Sequence, residues 1–268
     1  MEGTVSINLM GGLGNQIFQM IIGYSLCKKY NKQLIIKSKL NNPHSTLNYF
    51  QSIFRKLNIV SIIISNRYIF NEPDNGALTY YDIPNQKNIE LIGYFQNEKY
   101  FSQYRNEIVN LLQMEDERKN KLQQQYTTLD NAYFIHIRRG DYVGNSLHDI
   151  NLEMYYQKCI EWIKTTDNNI IFYIFSNDIE YCKSISWLKN ENVLFINLDE
   201  LDSLYLMSMC KGGIGCNSSY SWWAGYLNEH LNKKIIYPNK WFNNNWSVDI
   251  AWKGCYIMDI INYNIDLT

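Results

Sequence analysis

The chain has 268 residues, of which 46% are hydrophobic and 15% aromatic, which is enough apolar side chain for one large or two ordinary folded domains. This composition argues against intrinsic disorder. A formal net charge of −1, without a basic stripe, argues against bulk electrostatic binding of nucleic acid.

Hydrophobic periodicity predicts alternating strands and helices along most of the chain. Strands are predicted at 5–9, 34–36, 59–64, 90–96, 133–137, 170–175, 193–196, 213–216 and 235–237. Helices are predicted at 17–30, 47–57, 101–126, 152–164, 179–188, 199–209 and 222–231, with an irregular segment at 67–86 that contains a turn at 72–76. This alternation indicates an α/β fold with parallel sheets and helices on both faces. The polar stretch at 116–125 marks a boundary, so we expect domains at 1–126 and 127–268.

The first predicted strand runs into a glycine-rich turn, Gly-Gly-Leu-Gly-Asn-Gln at 11–16. The pattern G-x-G-x-x-G fails at Ile17, and the next strand ends in a lysine instead of the acid that would hold a ribose hydroxyl. A dinucleotide site is therefore disfavoured. We expect Gly12 to let the backbone approach a ligand and Asn15 and Gln16 to present their amides to it. The alternative is a plain tight turn.

The segment Tyr-Phe-Ile-His-Ile-Arg-Arg-Gly-Asp-Tyr at 133–142 begins as a buried strand and ends in charged residues. Ligands of open α/β sheets bind at the carboxyl ends of the strands, and the planar guanidinium group matches phosphate oxygens. We therefore predict that Arg138 binds a phosphorylated ligand, with Asp141 beside it. His136 is either a core residue or a ligand contact, since apolar residues flank it.

Two further strand ends carry polar residues that a parallel sheet would bring to the same edge. Asn217, Ser218 and Ser219 precede a predicted helix, where they either cap it or form an anion site with its free N–H groups.

Asp178 follows the strand at 170–175, and it also has two interpretations. Asn177 with Glu180 resembles a capping box, which needs no ligand. Alternatively, the Asp178 carboxylate accepts hydrogen bonds from the edge of a guanine. The chain has no D-x-D motif and no ligand cluster with metal spacing, so we expect no metal.

Six cysteines lie scattered without C-x-x-C spacing, which suits a reducing compartment. The sequence shows no signal-peptide pattern and no apolar run long enough to span a bilayer. We therefore expect a cytoplasmic protein, with peripheral contact at the inner face of the membrane left open.

Five motifs occur in a characteristic order. They are GGLGNQ at 11–16, GYFQNEKYF at 93–101, HIRRGDY at 136–142, FSND at 175–178 and NSSYSWW at 217–223. Together they resemble the bacterial α-1,2-fucosyltransferases of glycosyltransferase family 11 over nearly the whole chain. Asn177 departs from the aspartate that many members have at this position.

The resemblance implies two Rossmann-like domains facing across a cleft, the GT-B arrangement. It also implies metal-independent, inverting transfer of L-fucose from GDP-β-L-fucose, a co-substrate, without any cofactor. The product would be an α-1,2 linkage to O2 of a terminal galactoside on an oligosaccharide or lipid-linked glycan. Synthesis of O-antigen or another surface glycan would be the setting.

The resemblance gives the candidate residues specific roles. Arg138 and the helix terminus at 218–219 would neutralise the leaving diphosphate, and Asp141 or Glu98 would act as general base. The turn at 11–16 would border the sugar and the acceptor. Two other classes stay open: a transferase for another GDP-sugar, and a non-catalytic carbohydrate-binding protein that uses the aromatic residues within 241–246.

Overall fold

A computed structural model describes residues 3–38, 47–62, 64–73, 78–244 and 249–268. The last part of the predicted turn at 72–76, position 63 of the predicted strand at 59–64, and Trp246 lie outside these residues. The chain divides into two compact units: the first unit is Met1–Gln113 with Ser247–Ile250, and the second unit is Met114–Trp246 with Ala251–Thr268. None of the helices in the described residues is long and apolar enough to cross a membrane.

The first unit contains a five-stranded sheet in which every pairing is parallel. Its strands are β1 (Thr4–Asn8), β2 (Gln33–Ser38), β3 (Ile59–Val60), β4 (Tyr68–Asn71) and β5 (Asn88–Ile92), in the order β3-β2-β1-β5-β4. Its α-helices are α1 (Leu13–Tyr30) and α2 (Arg105–Leu111).

Two predictions for the first unit are wrong. The helix predicted at 47–57 is a single 3₁₀ turn at Tyr49–Gln51, and β4 lies in the segment predicted to be irregular. β4 is an edge strand with exposed residues on both faces, such as Tyr68 and Ile69, so it lacks the alternation that identifies a half-buried strand.

The second unit contains a seven-stranded sheet that is parallel except for its last strand. Its strands are β6 (Ala132–Ile137), β7 (Ile171–Ser176), β8 (Val193–Phe195), β9 (Gly212–Ile214), β10 (Ile235–Pro238), β11 (Tyr256–Met258) and β12 (Ile265–Leu267), in the order β12-β11-β10-β9-β6-β7-β8. Its helices are α3 (Asp116–Gln125), α4 (Glu153–Thr166), α5 (Ile179–Ser184), α6 (Glu200–Met209) and α7 (Ser219–Leu227). The short strands β11 and β12 are not predicted by the sequence.

The boundary between the units lies between Gln113 and Met114, before the boundary expected at 126/127, so α3 belongs to the second unit. Arg118 of α3 forms an ion pair with Asp202 of α6 at 2.7 Å, and Leu122 is the buried residue of this helix. Because α3 has so little apolar surface, its sequence predicts a solvated helix or a connection. In the structure, an ion pair attaches it to α6.

Strand β6 is buried along its whole length between β7 and β9. Glycines in β9 make room for its aromatic side chains: a Cβ at Gly212 would lie 2.5 Å from the ring of Tyr133, and one at Gly213 would lie 2.2 Å from Phe134. The aromatic residues of β6 therefore fill the space that side chains on β9 would otherwise occupy.

The strand order reverses once in each sheet. In the second unit the chain proceeds from β6 to β7 and β8 on one side, then returns to place β9 and β10 on the other side of β6. In the first unit the reversal lies between β1 and β5. Open α/β sheets bind ligands beyond the carboxyl ends of the strands at such a point. The topology therefore predicts ligand contacts in the turn after β1 and in the segments after β6 and β9.

The amino-terminal edge of the second sheet is held by one carboxylate. Asp167, which follows α4, accepts hydrogen bonds from the Tyr133 hydroxyl at 2.9 Å and from the ammonium groups of Lys211 and Lys234. Burial alone would raise the pKa of Asp167, but these three donors outweigh it and lower the pKa to about 2. The carboxylate thus ties α4 to the residues that lead into β9 and β10.

We predict that Asp167→Asn lowers the free energy of unfolding by about 2 kcal/mol at pH 7. Because the folded-state pKa lies below the unfolded value, this stabilisation is complete above about pH 4 and disappears as the pH falls towards 2. Urea unfolding of both proteins at several pH values from 7 to 2.5 measures the difference. The exposed Asp130→Asn serves as control and should change stability by less than about 0.5 kcal/mol. A difference that is independent of pH would contradict the assignment.

Candidate active site

Arg138 is the first residue after β6, and its guanidinium group is only partly engaged. Nη2 donates to Asp141 Oδ1 at 2.6 Å, and the guanidinium carbon lies 5.5 Å from the centroid of the Tyr142 ring. Nε is buried and has no hydrogen-bond partner among the described residues. Asp141 therefore fixes the orientation of the guanidinium, which keeps donor capacity for an anion.

Arg139 points to a different neighbour. Its guanidinium stacks on Tyr181 at 3.5 Å, and its Nε lies 3.5 Å from Asp178 Oδ2. Each of the two adjacent arginines thus has its own carboxylate, so their proximity does not require a shared anion. The Arg139 Nε, like the Arg138 Nε, is buried and has no hydrogen-bond partner among the described residues. Phosphate binding by Arg138 stays a prediction.

The turn between the two arginines and Tyr142 is fixed by Asn177. Its Oδ1 accepts the Arg139 backbone N–H at 2.8 Å, and its amide lies so close to Gly140 that a Cβ there would meet Nδ2 at 2.2 Å. Gly140 also has a φ of +53°, which favours glycine. Asn177 is therefore not the helix cap that the sequence suggested.

Asp178 is the N-cap of α5. Its Oδ1 accepts the Tyr181 N–H at 3.1 Å, while Oδ2 faces Arg139. The capping box predicted at Asn177 and Glu180 is therefore wrong: Asp178 caps the helix, and Glu180 pairs with Lys183. Guanine recognition by Asp178 stays a prediction. It would require Oδ1 to give up the Tyr181 N–H, or Oδ2 to give up Arg139, in exchange for the guanine edge.

The helix α7 begins at the expected cluster. Ser218 is its N-cap and accepts the Tyr220 N–H at 3.4 Å, and Ser219 is the first helical residue. Asn217 is buried, and its amide donates to the carbonyls of His148 and Trp241, both at 3.0 Å. Asn217 is therefore placed to hold loops, whereas the first turn of α7 has the N–H groups and the dipole that attract an anion.

One hydrogen bond joins the segments that follow β6 and β9, and one ring contact lies within the segment after β6. The Tyr142 hydroxyl donates to the Asn217 carbonyl at 3.1 Å, and the Tyr142 ring stacks on His148 with centroids 4.8 Å apart. Parallel pairing of β6 with β7 and with β9 sets the three strand ends side by side, as the sequence predicts. Arg138 and the start of α7 thus flank the point where the strand order reverses.

His136 lies in the core, the alternative that the sequence left open. It is 3% exposed, its Nδ1 lies 3.3 Å from Cys216 Sγ, and its ring packs on Tyr220. Burial, assisted by the charge of Arg138, lowers the pKa of His136 to about 3, so the ring is neutral. Substrate binding by His136 stays a prediction.

In the first unit, the turn after β1 combines structural and open positions. Gly11 has a φ of +71°, and its carbonyl accepts the side-chain amide of the buried Gln16 at 2.9 Å. A Cβ at Gly12 would meet nothing within 4 Å, so the packing leaves space there. Asn15 Oδ1 accepts the Gln96 side-chain amide at 2.7 Å. Gln16 thus shapes the turn, Gly12 borders open space at the reversal point, and Asn15 is held by Gln96.

Gln19 supports this turn and Glu72 supports the loop after β5; neither residue is predicted from the sequence. Gln19 accepts the Met10 N–H at 2.9 Å and donates to the Gly93 carbonyl at 3.0 Å, which ties the ends of β1 and β5 together. The carboxylate of Glu72 accepts the N–H groups of Tyr94 and Phe95, and burial raises its pKa. A glutamine beside the apolar stretch of α1 was a local signal for Gln19, but it does not identify the residues that Gln19 contacts.

Within the part of the chain that the structure describes, no group of three or more His, Cys, Asp or Glu side chains is arranged to hold a metal ion.

Comparison with known proteins gives a consistent result. The family model described as glycosyl transferase family 11 matches residues 68–254. An alpha-1,2-colitosyltransferase of Escherichia coli is 29% identical, with 89% of this chain and 92% of that protein covered. The O-antigen biosynthesis glycosyltransferase WbnK of the same species is 27% identical, with 88% and 94% covered. Galactoside alpha-(1,2)-fucosyltransferase 2 of Hylobates lar is 24% identical, with 85% and 70% covered.

Among solved structures, the fucosyltransferase NodZ from Bradyrhizobium matches with a TM-score of 0.57 at 12% identity, covering 84% of this chain and 93% of that one. This likeness, together with two parallel sheets, confirms the expected fold class, α/β with two Rossmann-like units of the GT-B type. The match to the family model covers residues 68–254, a range that includes Arg138 and Ser218. The chain belongs to glycosyltransferase family 11.

Proposed function

We propose that this glycosyltransferase moves L-fucose from GDP-β-L-fucose to O2 of a terminal galactoside, in the synthesis of O-antigen or another surface glycan. The observation that carries the proposal is Arg138, whose buried Nε has no hydrogen-bond partner among the described residues and which follows β6 at the sheet edge where α7 begins after β9. Both groups are donors suited to a diphosphate. The names of the relatives support the sugar and the linkage: one transfers colitose and another fucose, both in α-1,2 linkage.

In the proposed reaction, the bond between the anomeric carbon and the β-phosphate oxygen breaks as the acceptor hydroxyl attacks. Negative charge grows on the departing phosphate, so donors that are already oriented stabilise the transition state more than the ground state. Arg138 and the N-terminus of α7 supply these donors without a metal or another cofactor. Attack from the face opposite GDP converts the β-linked donor into an α-linked product.

The first unit is proposed to contact the sugar and the acceptor. Gly12 borders open space, and Asn15 presents an amide whose oxygen is already oriented by Gln96. Neutral amides suit hydroxyl groups, which both donate and accept hydrogen bonds. Asp141 orients Arg138. We propose in addition that Asp141 acts as the general base for the acceptor hydroxyl, and Glu98 is the alternative.

GDP-colitose is a second candidate donor for this protein, because one sequence relative is an alpha-1,2-colitosyltransferase. Colitose lacks the 3-hydroxyl of fucose, so the two donors differ in one polar group. A site that hydrogen-bonds this hydroxyl should prefer GDP-fucose over GDP-colitose by about 10⁴-fold or more in kcat/KM, because its absence leaves buried partners unpaired. Comparison of kcat/KM for the two donors decides between them.

The direct test is NMR of the product formed from GDP-fucose and lactose or N-acetyllactosamine, with enzyme and buffer dialysed against EDTA. We expect an α-fucosyl residue on O2 of galactose, formed at the same rate when Mg²⁺ or Mn²⁺ is added back. A β-anomeric signal would overturn the inverting mechanism. Activity that is lost in EDTA and restored by metal would overturn the metal-independent mechanism, and exclusive use of GDP-colitose would overturn the choice of donor.

We predict that Arg138→Lys lowers kcat by a factor of about 10²–10³ while the protein stays folded, because an ammonium group cannot reproduce the planar donor geometry. Arg118→Lys is the matched control: Arg118 has a similar exposure, 28% against 30%, and also pairs with an aspartate, but lies on α3. Steady-state kinetics and thermal melting of both variants give the result. A kcat within about threefold of the parent would show that Arg138 does not stabilise the leaving group.

Two substitutions at Asp178 separate guanine recognition from capping. Asn is as good an N-cap as Asp, so Asp178→Asn should keep the stability, whereas Asp178→Ala should lose about 1 kcal/mol. If the carboxylate accepts from guanine, both variants bind GDP more weakly in calorimetry and lose the preference for GDP over ADP. Unchanged GDP affinity in Asp178→Asn would leave Asp178 with the capping role alone.

A further inference from the structure

The first unit contains a cavity of about 110 Å³ on the carboxyl-terminal half of α1, away from the turn after β1. Ser25 and Lys29 of α1 form one wall, and Tyr80, Asp82 and Gln103 belong to the opposite walls. Asn15, in the first turn of α1, precedes Ser25 by ten residues, or roughly 15 Å along the helix. The cavity is therefore separate from the candidate contacts at Gly12 and Asn15.

The walls of this cavity are fixed by hydrogen bonds and ring contacts. The Tyr100 hydroxyl accepts the Tyr81 N–H at 3.0 Å, and the rings of Tyr80 and Tyr100 pack with centroids 4.9 Å apart. The Tyr80 hydroxyl donates to Asp82 Oδ1 at 2.9 Å. The loop that contains Tyr80 is thus held in place, and Tyr80 remains 38% exposed.

Ser25 is the unexplained group in the cavity. It is 2% exposed, and its hydroxyl has no hydrogen-bond partner among the described residues. Serine in a helix commonly bonds back to the carbonyl one turn earlier, and a buried hydroxyl without any partner is unfavourable. A ligand hydroxyl in the cavity would satisfy it.

The charges around the cavity balance. Lys99 donates to Asp249 at 2.7 Å, which leaves Lys29 and Asp82 as one charge of each sign on the walls. An anion or a cation would therefore gain little electrostatic binding energy in the cavity. A neutral molecule with several hydroxyl groups would form hydrogen bonds with the donors and acceptors on the walls. The tyrosine rings offer flat apolar faces beside these polar groups.

The volume limits the occupant. It exceeds the roughly 30 Å³ of one water in the liquid but is smaller than the roughly 300–1,000 Å³ of sites for drug-sized ligands. We propose that the cavity is a second sugar-binding subsite, which takes one neutral saccharide ring of the acceptor glycan, remote from the reacting hydroxyl. This inference rests on the proposed function, because a glycan acceptor supplies such a ring.

Two acceptors of different length test the subsite: lactose, and the linear tetrasaccharide lacto-N-neotetraose. In Tyr80→Ala, KM for the tetrasaccharide should rise about tenfold through loss of the ring contact, with kcat unchanged and with both constants for lactose unchanged. Tyr80→Phe keeps the ring and should restore most of the affinity. Ser25→Ala should raise KM for the tetrasaccharide without affecting lactose.

Tyr68→Ala is the matched control, since Tyr68 is an exposed tyrosine on β4 of the same unit, and it should change neither acceptor. Equal effects of Tyr80→Ala on both acceptors, or no effect on either, would overturn the subsite. If the parent transfers fucose to neither acceptor, the proposed function fails, and saturation-transfer NMR with the tetrasaccharide still decides the subsite. A signal that is lost in Tyr80→Ala supports it, and no signal in the parent means that the cavity holds water only.

Discussion

Parallel pairing of β6 with β7 on one side and β9 on the other is the constraint on which the second unit depends. Because the three strands run in the same direction, the segments that follow them start at one edge of the sheet. Arg138, Asn177 and the cap of α7 are distant in sequence, yet Asn177 contacts the Arg139 backbone, and Tyr142 contacts Asn217. The pairing in turn depends on the glycines of β9, which leave room for the aromatic residues of β6.

The second unit separates its charges between the two edges of this sheet. At the amino edge, Asp167 accepts hydrogen bonds from three donors within the unit and its pKa is lowered to about 2, which makes it a stabilising group. At the carboxyl edge, Arg138 has one carboxylate partner and an unpaired Nε. A guanidinium group whose N–H donors are only partly hydrogen-bonded lowers the stability of the fold, but it keeps donors for an anion, as a functional site requires.

Local sequence signals identified most of the elements and the residues that bear charge, but not the contacts between elements. The motif at 136–142 and the cluster at 217–219 were predicted to lie at one sheet edge, and the structure brings them together there, because strand ends and caps are encoded locally. The cap of α5 was placed at Asn177 instead of Asp178, since either residue suits an N-cap and only the contact with Arg139 distinguishes them. Gln19 and Glu72 act on loops far along the chain, so no local pattern reveals their roles.

The two units place different chemistry at the point where their strand order reverses. In each sheet a helix begins after a strand beside this point: α1 after β1 in the first unit and α7 after β9 in the second. The first unit places a glycine and neutral amides there, tied by Gln96 and Gln19, whereas the second places a guanidinium group beside a helix N-terminus. Neutral amides distinguish hydroxyl patterns, and a guanidinium stabilises a departing phosphate. The proposed function needs both abilities, and it assigns each of them to a separate sheet.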